Sequence, residues 1–125
     1  MAQPRAGVKE RGGFNVIGRS GLMSLELRDV WGNSVSLADD RRAHLLEHPE
    51  MREQEDKLAE TLLEPDSVIQ AQSDDTVRLF HRFYRRLTIG DKYLCVVVKY
   101  MEGDIFVITA YFTDKVKRGE VLWKK

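Results

Sequence analysis

Two of the three histidines in this sequence, His44 and His48, stand four residues apart in HLLEHPEM. An imidazole is the natural general acid or base near neutral pH. The spacing would also suit two ligands of a metal, but no glutamate follows the first histidine as in HExxH, and Pro49 disturbs the register. No metal site is expected. The other residues with chemical potential are Arg78, Arg82, Tyr84, Lys99, Thr109, Tyr111 and Thr113. Cations that hold phosphate, beside rings that stack bases, are what a nucleic-acid surface needs. The bland alternative is a half-solvated sheet showing its polar side. His81, between Leu79 and Phe83, reads as structural. Cys95 inside LCVVV reads as a small buried apolar residue rather than a nucleophile.

Those residues need a scaffold, and residues 76–114 supply one. VRLFHRFYRRL, KYLCVVVKYM and IFVITAYFTD are strand-like runs, broken by Ile89-Gly90-Asp91 and Glu102-Gly103-Asp104. Such short turns between Val-, Ile- and aromatic-rich runs predict an antiparallel meander. SVIQAQ (67–72) adds a fourth, edge-like strand, open to dimerisation or to a partner's strand. Period-2 sorting puts Val77, Leu79, His81 and Phe83 with Leu94, Val96 and Val98 and with Phe106, Ile108, Ala110 and Phe112 on a helix-docking side. Arg78, Arg82, Tyr84, Lys99, Thr109, Tyr111 and Thr113 then share the open side.

Ahead of the meander, MSLELRDV, Trp31-Gly32-Asn33 and SVSL predict a β-hairpin from Met23 to Leu37. Ser36 and Asp39 resemble a capping box opening a helix over LADDRRAHLLEH. Pro49 suits the first position of a second helix, PEMREQEDKLAETLLE, with Met51, Leu58 and Leu62 on one stripe. Residues 1–22 read as a loose basic arm, and 23–125 as a single domain. Trp123 is expected to anchor the C-terminal segment on the core.

At 125 residues the chain suits one domain with its own core. The single cysteine excludes an internal disulfide and any Cys-based zinc site. No apolar run approaches the ~20 residues of a membrane span, and the N-terminus lacks a signal-like apolar core, so a cytoplasmic protein without membrane attachment is expected. The net charge of zero conceals an asymmetry: residues 39–75 carry 4 basic and 12 acidic side chains, residues 76–125 carry 11 and 5. An acidic helical middle beside a basic sheet points to a polyanion as partner. Two separately solvated surfaces would give the same counts.

HLLEHPEM, followed by a meander with FHRFY, KYLCVVVK and TAYFTD and then by KRGE and a tryptophan, resembles the barnase–EndoU–colicin–RelE-like (BECR) nuclease superfamily, in particular its small phage-associated bacterial members. The resemblance covers roughly residues 24–123. It implies an α+β fold with two helices packed on one face of a four-stranded antiparallel meander, preceded here by the hairpin. It also implies metal-independent, cofactor-free RNA cleavage, toxin-like, with RNA as substrate and an antitoxin or immunity protein as candidate partner of a monomer or homodimer. In that chemistry the ribose 2′-OH attacks the neighbouring phosphate and the 5′-oxygen leaves, which needs a base, an acid and cations. His44 would be the base or acid, with His48 second. Arg82 would neutralise the phosphate with Arg78 or Lys99 in support, Tyr111 between Thr109 and Thr113 would orient it or act as acid, and Tyr84 and Lys117 would extend the RNA surface. The last strand offers only Thr109, Tyr111 and Thr113 where other members often carry a histidine or a further basic residue. A non-catalytic module binding RNA or a protein with the same face is therefore the alternative.

Overall fold

A computed structural model describes residues 14–17 and 23–125. The elements in chain order are β1 (Phe14–Ile17), β2 (Met23–Arg28), β3 (Ser34–Ala38), α1 (Asp39–Leu45), a 3-10 turn (Pro49–Met51), α2 (Glu55–Leu63), β4 (Ser67–Gln70), β5 (Val77–Leu87), β6 (Gly90–Met101), β7 (Asp104–Thr113) and β8 (Val121–Lys124). They form an α+β domain with one mixed sheet of eight strands, ordered β1-β2-β3-β7-β6-β5-β4-β8. The expected meander is its centre, β4-β5-β6-β7, every neighbour antiparallel. The strand count is where the expectation falls short. β3 joins β7 in parallel through Ser36 and Phe106, so the N-terminal hairpin extends the sheet. Part of the expected arm, Phe14–Ile17, pairs with β2; the rest of residues 1–22 lies outside the described residues. The 67–72 segment is not an edge, because β8 pairs along the far side of β4. No helix among the described residues is long and apolar enough to cross a membrane.

The β2–β3 hairpin forms where turn chemistry demands it. Gly32 takes φ +88°, a left-handed conformation open to glycine, and the buried Asp29 carboxylate accepts from the Trp31 and Asn33 backbone N–H groups. Both helices are shorter than expected. Ser36 lies in β3, and its hydroxyl donates to Glu26 at 2.7 Å instead of capping a helix. α1 starts at Asp39 behind an uncapped Ala38. Pro49 opens only a 3-10 turn, Glu53 has φ +64°, and α2 begins at Glu55 with two acidic residues at its positive end. Arg42 and Glu55 join the two helices at 2.6 Å.

One face of the sheet carries the helices. Leu45, Met51, Leu58 and Leu62 pack with Leu27, Val35 and Leu37 of the hairpin and with Val68, Phe80, Leu94, Val96, Val98, Val107 and Ala110 of the sheet. Trp123 packs against this cluster from β8. Directly paired residues share a face, and Phe80, Val96 and Ala110 are in register. The sequence sorting is thus inverted for β5: Arg78, Phe80, Arg82 and Tyr84 face the helices, whereas Leu79, His81 and Phe83 face away. Both sets hold large apolar residues, so alternation alone could not choose between them, and parity moves every side chain at once. In β7 a bulge changes parity midway. Val97 pairs with Thr109 and Val98 with Val107, leaving Ile108 as the extra residue. Val107 rather than Phe106 therefore enters the core.

Candidate functional site

The face turned away from the helices is built from Leu79, His81 and Phe83 of β5, Tyr93, Cys95 and Val97 of β6, and Thr109, Tyr111 and Thr113 of β7. It is not fully open. β7 and β8 lie four strand positions apart, so residues 114–120 must cross β6, β5 and β4 to connect them. That crossing spans about 19 Å at ~4.8 Å per strand. Eight Cα–Cα steps reach only about 28 Å when extended. The connection is a short strap over this face. Its middle is fixed where the Lys117 backbone N–H donates to His81 Nε2 at 3.2 Å, and its end where the Gln70 N–H donates to the Glu120 carbonyl at 2.8 Å. Gly119 passes so close to β4 that a Cβ there would sit 2.3 Å from the Gln70 carbonyl oxygen.

Beneath the strap, His81, Cys95 and Tyr111 stand side by side across three strands. His81 and Cys95 are fully buried. Burial pulls the His81 imidazole down to about 4, helped by the Lys117 charge and opposed by the Leu79 backbone. Its Nδ1 is buried without a hydrogen-bond partner. Burial also pushes the Cys95 thiol up to about 11, although the Tyr111 hydroxyl bonded to its sulfur and the Lys117 charge act against that. Burial raises the Tyr111 phenol, and Cys95 raises it further. A neutral thiol, a neutral imidazole and a protonated phenol make neither a nucleophile nor a solvent-reached base at neutral pH.

What this face offers is rings and cations. Phe83 is 38% exposed, its ring 5.0 Å from that of Tyr93, with the Arg85 guanidinium 6.0 Å above it. The Lys117 ammonium lies 5.7 Å over the Tyr111 ring. Lys115, Lys117 and Arg118 line the exposed strap. Among the described residues, carboxylates pair with Arg42, Arg82, Lys92, Lys99 and Lys125, and none with Arg85, Lys115, Lys117 or Arg118.

The residues expected to act together are divided by the sheet. Thr109, Tyr111, Thr113, Lys99 and Lys117 belong to the strapped face, with the Lys99 ammonium engaged by Asp74 at 2.9 Å. Arg78, Arg82 and Tyr84 belong to the helix side, where each has a structural partner. Arg78 lies 3.9 Å over the Tyr100 ring and 4.8 Å from Trp31. Arg82 donates to the Glu64 carbonyl and stands 3.5 Å from Glu60. The Tyr84 hydroxyl donates to Glu60 at 2.7 Å and lies 3.2 Å from the Thr61 hydroxyl. Burial and the neighbouring Glu60 raise its pKa, against the bond to Thr61 and the Arg82 charge.

His44 and His48 are exposed on the helical layer, their rings 6.2 Å apart, with Nδ1 of His44 3.8 Å from Glu47. The groove beyond Pro49, about 440 Å³, is lined by Glu50 and Glu53 as well as Arg52, Leu87, Ile89 and Phe112. Acidic neighbours disfavour a phosphate there. The His44–Arg82–Tyr111 constellation is not assembled: the helices carry the first, the docked face the second and the opposite face the third. Phe83, Tyr93 and Arg85 are not among the expected site residues, because alternation turns Phe83 inward, and Lys117 is expected only to extend the RNA surface. The signal for a crossing was the short link from β7 to a strand-like VLWK. No protein-family model, curated protein or solved structure matches the chain.

Proposed function

We propose that this protein is an RNA-binding module that uses the strapped face of its sheet. The observation that carries this reading is the exposed Phe83 ring, set against the half-buried Tyr93, on the same face as four cations without carboxylate partners among the described residues. Strap cations attract the phosphate backbone, and the rings offer π-faces to bases. The acidic helical layer faces the other way and keeps the polyanion on one side. Binding of a labelled RNA, followed by fluorescence anisotropy at rising salt, tests it. Replacing Lys117 and Arg118 by Ala together is expected to weaken binding and flatten the salt dependence by about two phosphate contacts. An unchanged affinity overturns the assignment of the face.

The catalytic reading rests on the resemblance to BECR nucleases and on HLLEHPEM. It requires a base at the scissile phosphate, and the two candidate histidines stand across the sheet from the proposed RNA surface. Incubating RNA with the protein in EDTA separates the readings. Products ending in 2′,3′-cyclic phosphate, lost in His44→Ala, favour an endonuclease; bound but intact RNA favours the module.

A further inference from the structure

We infer that the Phe83–Tyr93 ledge beside the strap is a base-stacking subsite that selects single-stranded over double-stranded RNA. The inference rests on the RNA-binding reading and goes beyond it in naming the strand state of the ligand. An aromatic ring in the middle of a β-strand normally packs against something. Phe83 has Tyr93 against one edge, Arg85 above, and more than a third of its surface in water. Tyr93 is itself backed by the buried His81 ring, 6.4 Å away and nearly perpendicular. The ledge is therefore flanked by the histidine that fixes the strap.

A partly exposed ring held at its edge gains from a ligand that presents a flat face. Bases in a duplex are stacked on one another and offer only their edges, whereas an unpaired base can leave its neighbours and lie on a side chain. Arg85 is positioned to close over such a base, since a guanidinium plane stacks as readily as a ring. The strap supplies the complementary charge: Lys115, Lys117 and Arg118 are exposed on it, and Lys117 is tied to His81, two residues from Phe83 on the same strand face. Because the strap crosses the sheet and is pinned at His81 and Gln70, it forms a wall. A flexible single strand can run beside it; a rigid duplex meets it edge-on.

The test compares a short labelled oligouridylate with a duplex of the same length at one low salt concentration, using the wild type, Phe83→Leu and Lys117→Ala/Arg118→Ala. The single strand is expected to bind at least about tenfold more tightly than the duplex, and Phe83→Leu to remove about that factor for the single strand alone. The double lysine–arginine variant is expected to weaken both ligands. Circular dichroism of Phe83→Leu confirms that the exposed site tolerates the change. Equal binding of the two ligands, or an unaltered single-strand affinity in Phe83→Leu, overturns the stacking subsite while leaving RNA binding in place. Failure of both RNAs to bind the wild type overturns both readings.

Discussion

The backbone N–H of Lys117 donates to Nε2 of His81, and this 3.2 Å bond ties the β7–β8 strap to the middle of the sheet. It holds only while His81 is neutral, because a protonated imidazole has no acceptor to offer. Burial and the Lys117 charge both disfavour the imidazolium, against the Leu79 backbone.

A pH dependence of stability follows. His81 binds its proton near 6.5 when unfolded and only near 4 when folded. Between these values the unfolded chain holds more protons, so acidification favours unfolding. The contribution is complete above pH 6.5 and is lost as pH falls through 4, with a ceiling on the order of 3 kcal/mol. Urea unfolding at pH 7, 6, 5 and 4 is expected to show it, and His81→Leu to flatten that part of the profile. A wild-type profile that is level between pH 6.5 and 4 contradicts the buried neutral histidine.

Gly119→Ala places a methyl 2.3 Å from the Gln70 carbonyl oxygen and 2.8 Å from the Ile69 side chain. Neither can yield easily, since Gln70 and Ile69 belong to β4. We expect destabilisation of about 1–3 kcal/mol and faster amide exchange at Lys117, because the strap must lift. A melting temperature equal to wild type would mean that Gly119 is not held against β4.

Tyr84→Phe removes the hydroxyl that reaches Glu60 and Thr61 of α2. The expected loss is about 1–2 kcal/mol, because Thr61 is fully buried and keeps an unmet partner. RNA affinity is expected to stay unchanged. A large affinity loss without a stability loss would restore Tyr84 to the binding surface.

Asp29 accepts from the Trp31 and Asn33 backbones, from the Asn33 amide at 3.0 Å and from the Tyr100 hydroxyl at 2.5 Å. Asp29→Ala leaves these donors without a partner and lets Trp31 and Tyr100 part from Arg78. A cost of about 3 kcal/mol in denaturant unfolding is expected. A change below ~0.5 kcal/mol would show that the hairpin turn does not need its carboxylate.

His44→Ala and His48→Ala are expected to change neither stability nor RNA affinity measurably, since both rings are exposed away from the strapped face. A cleavage activity abolished by either substitution would reassign the functional surface to the helical layer.

Several features of this protein were legible in the residues alone. Gly-Asp turns between Val- and aromatic-rich runs dictate the β5–β6–β7 meander, Trp31-Gly32-Asn33 dictates the hairpin, and the apolar stripe of 58–62 dictates that α2 docks. These are local or nearest-neighbour effects, set by turn chemistry and periodicity. Which side of β5 meets the helices was not legible, because Phe80 and Tyr84 alternate with Leu79 and Phe83 and either set could fill a core. Packing of Phe80 against Val96 and Trp31 settled it. That choice carried Arg78, Arg82 and Tyr84 to the docked side and brought Phe83 out. The bulge at Ile108 and the position of β8 beside β4 are likewise consequences of long-range pairing. Only when β8 takes that place must 114–120 cross the sheet, and only then do Lys117 and His81, 36 residues apart in sequence, become neighbours.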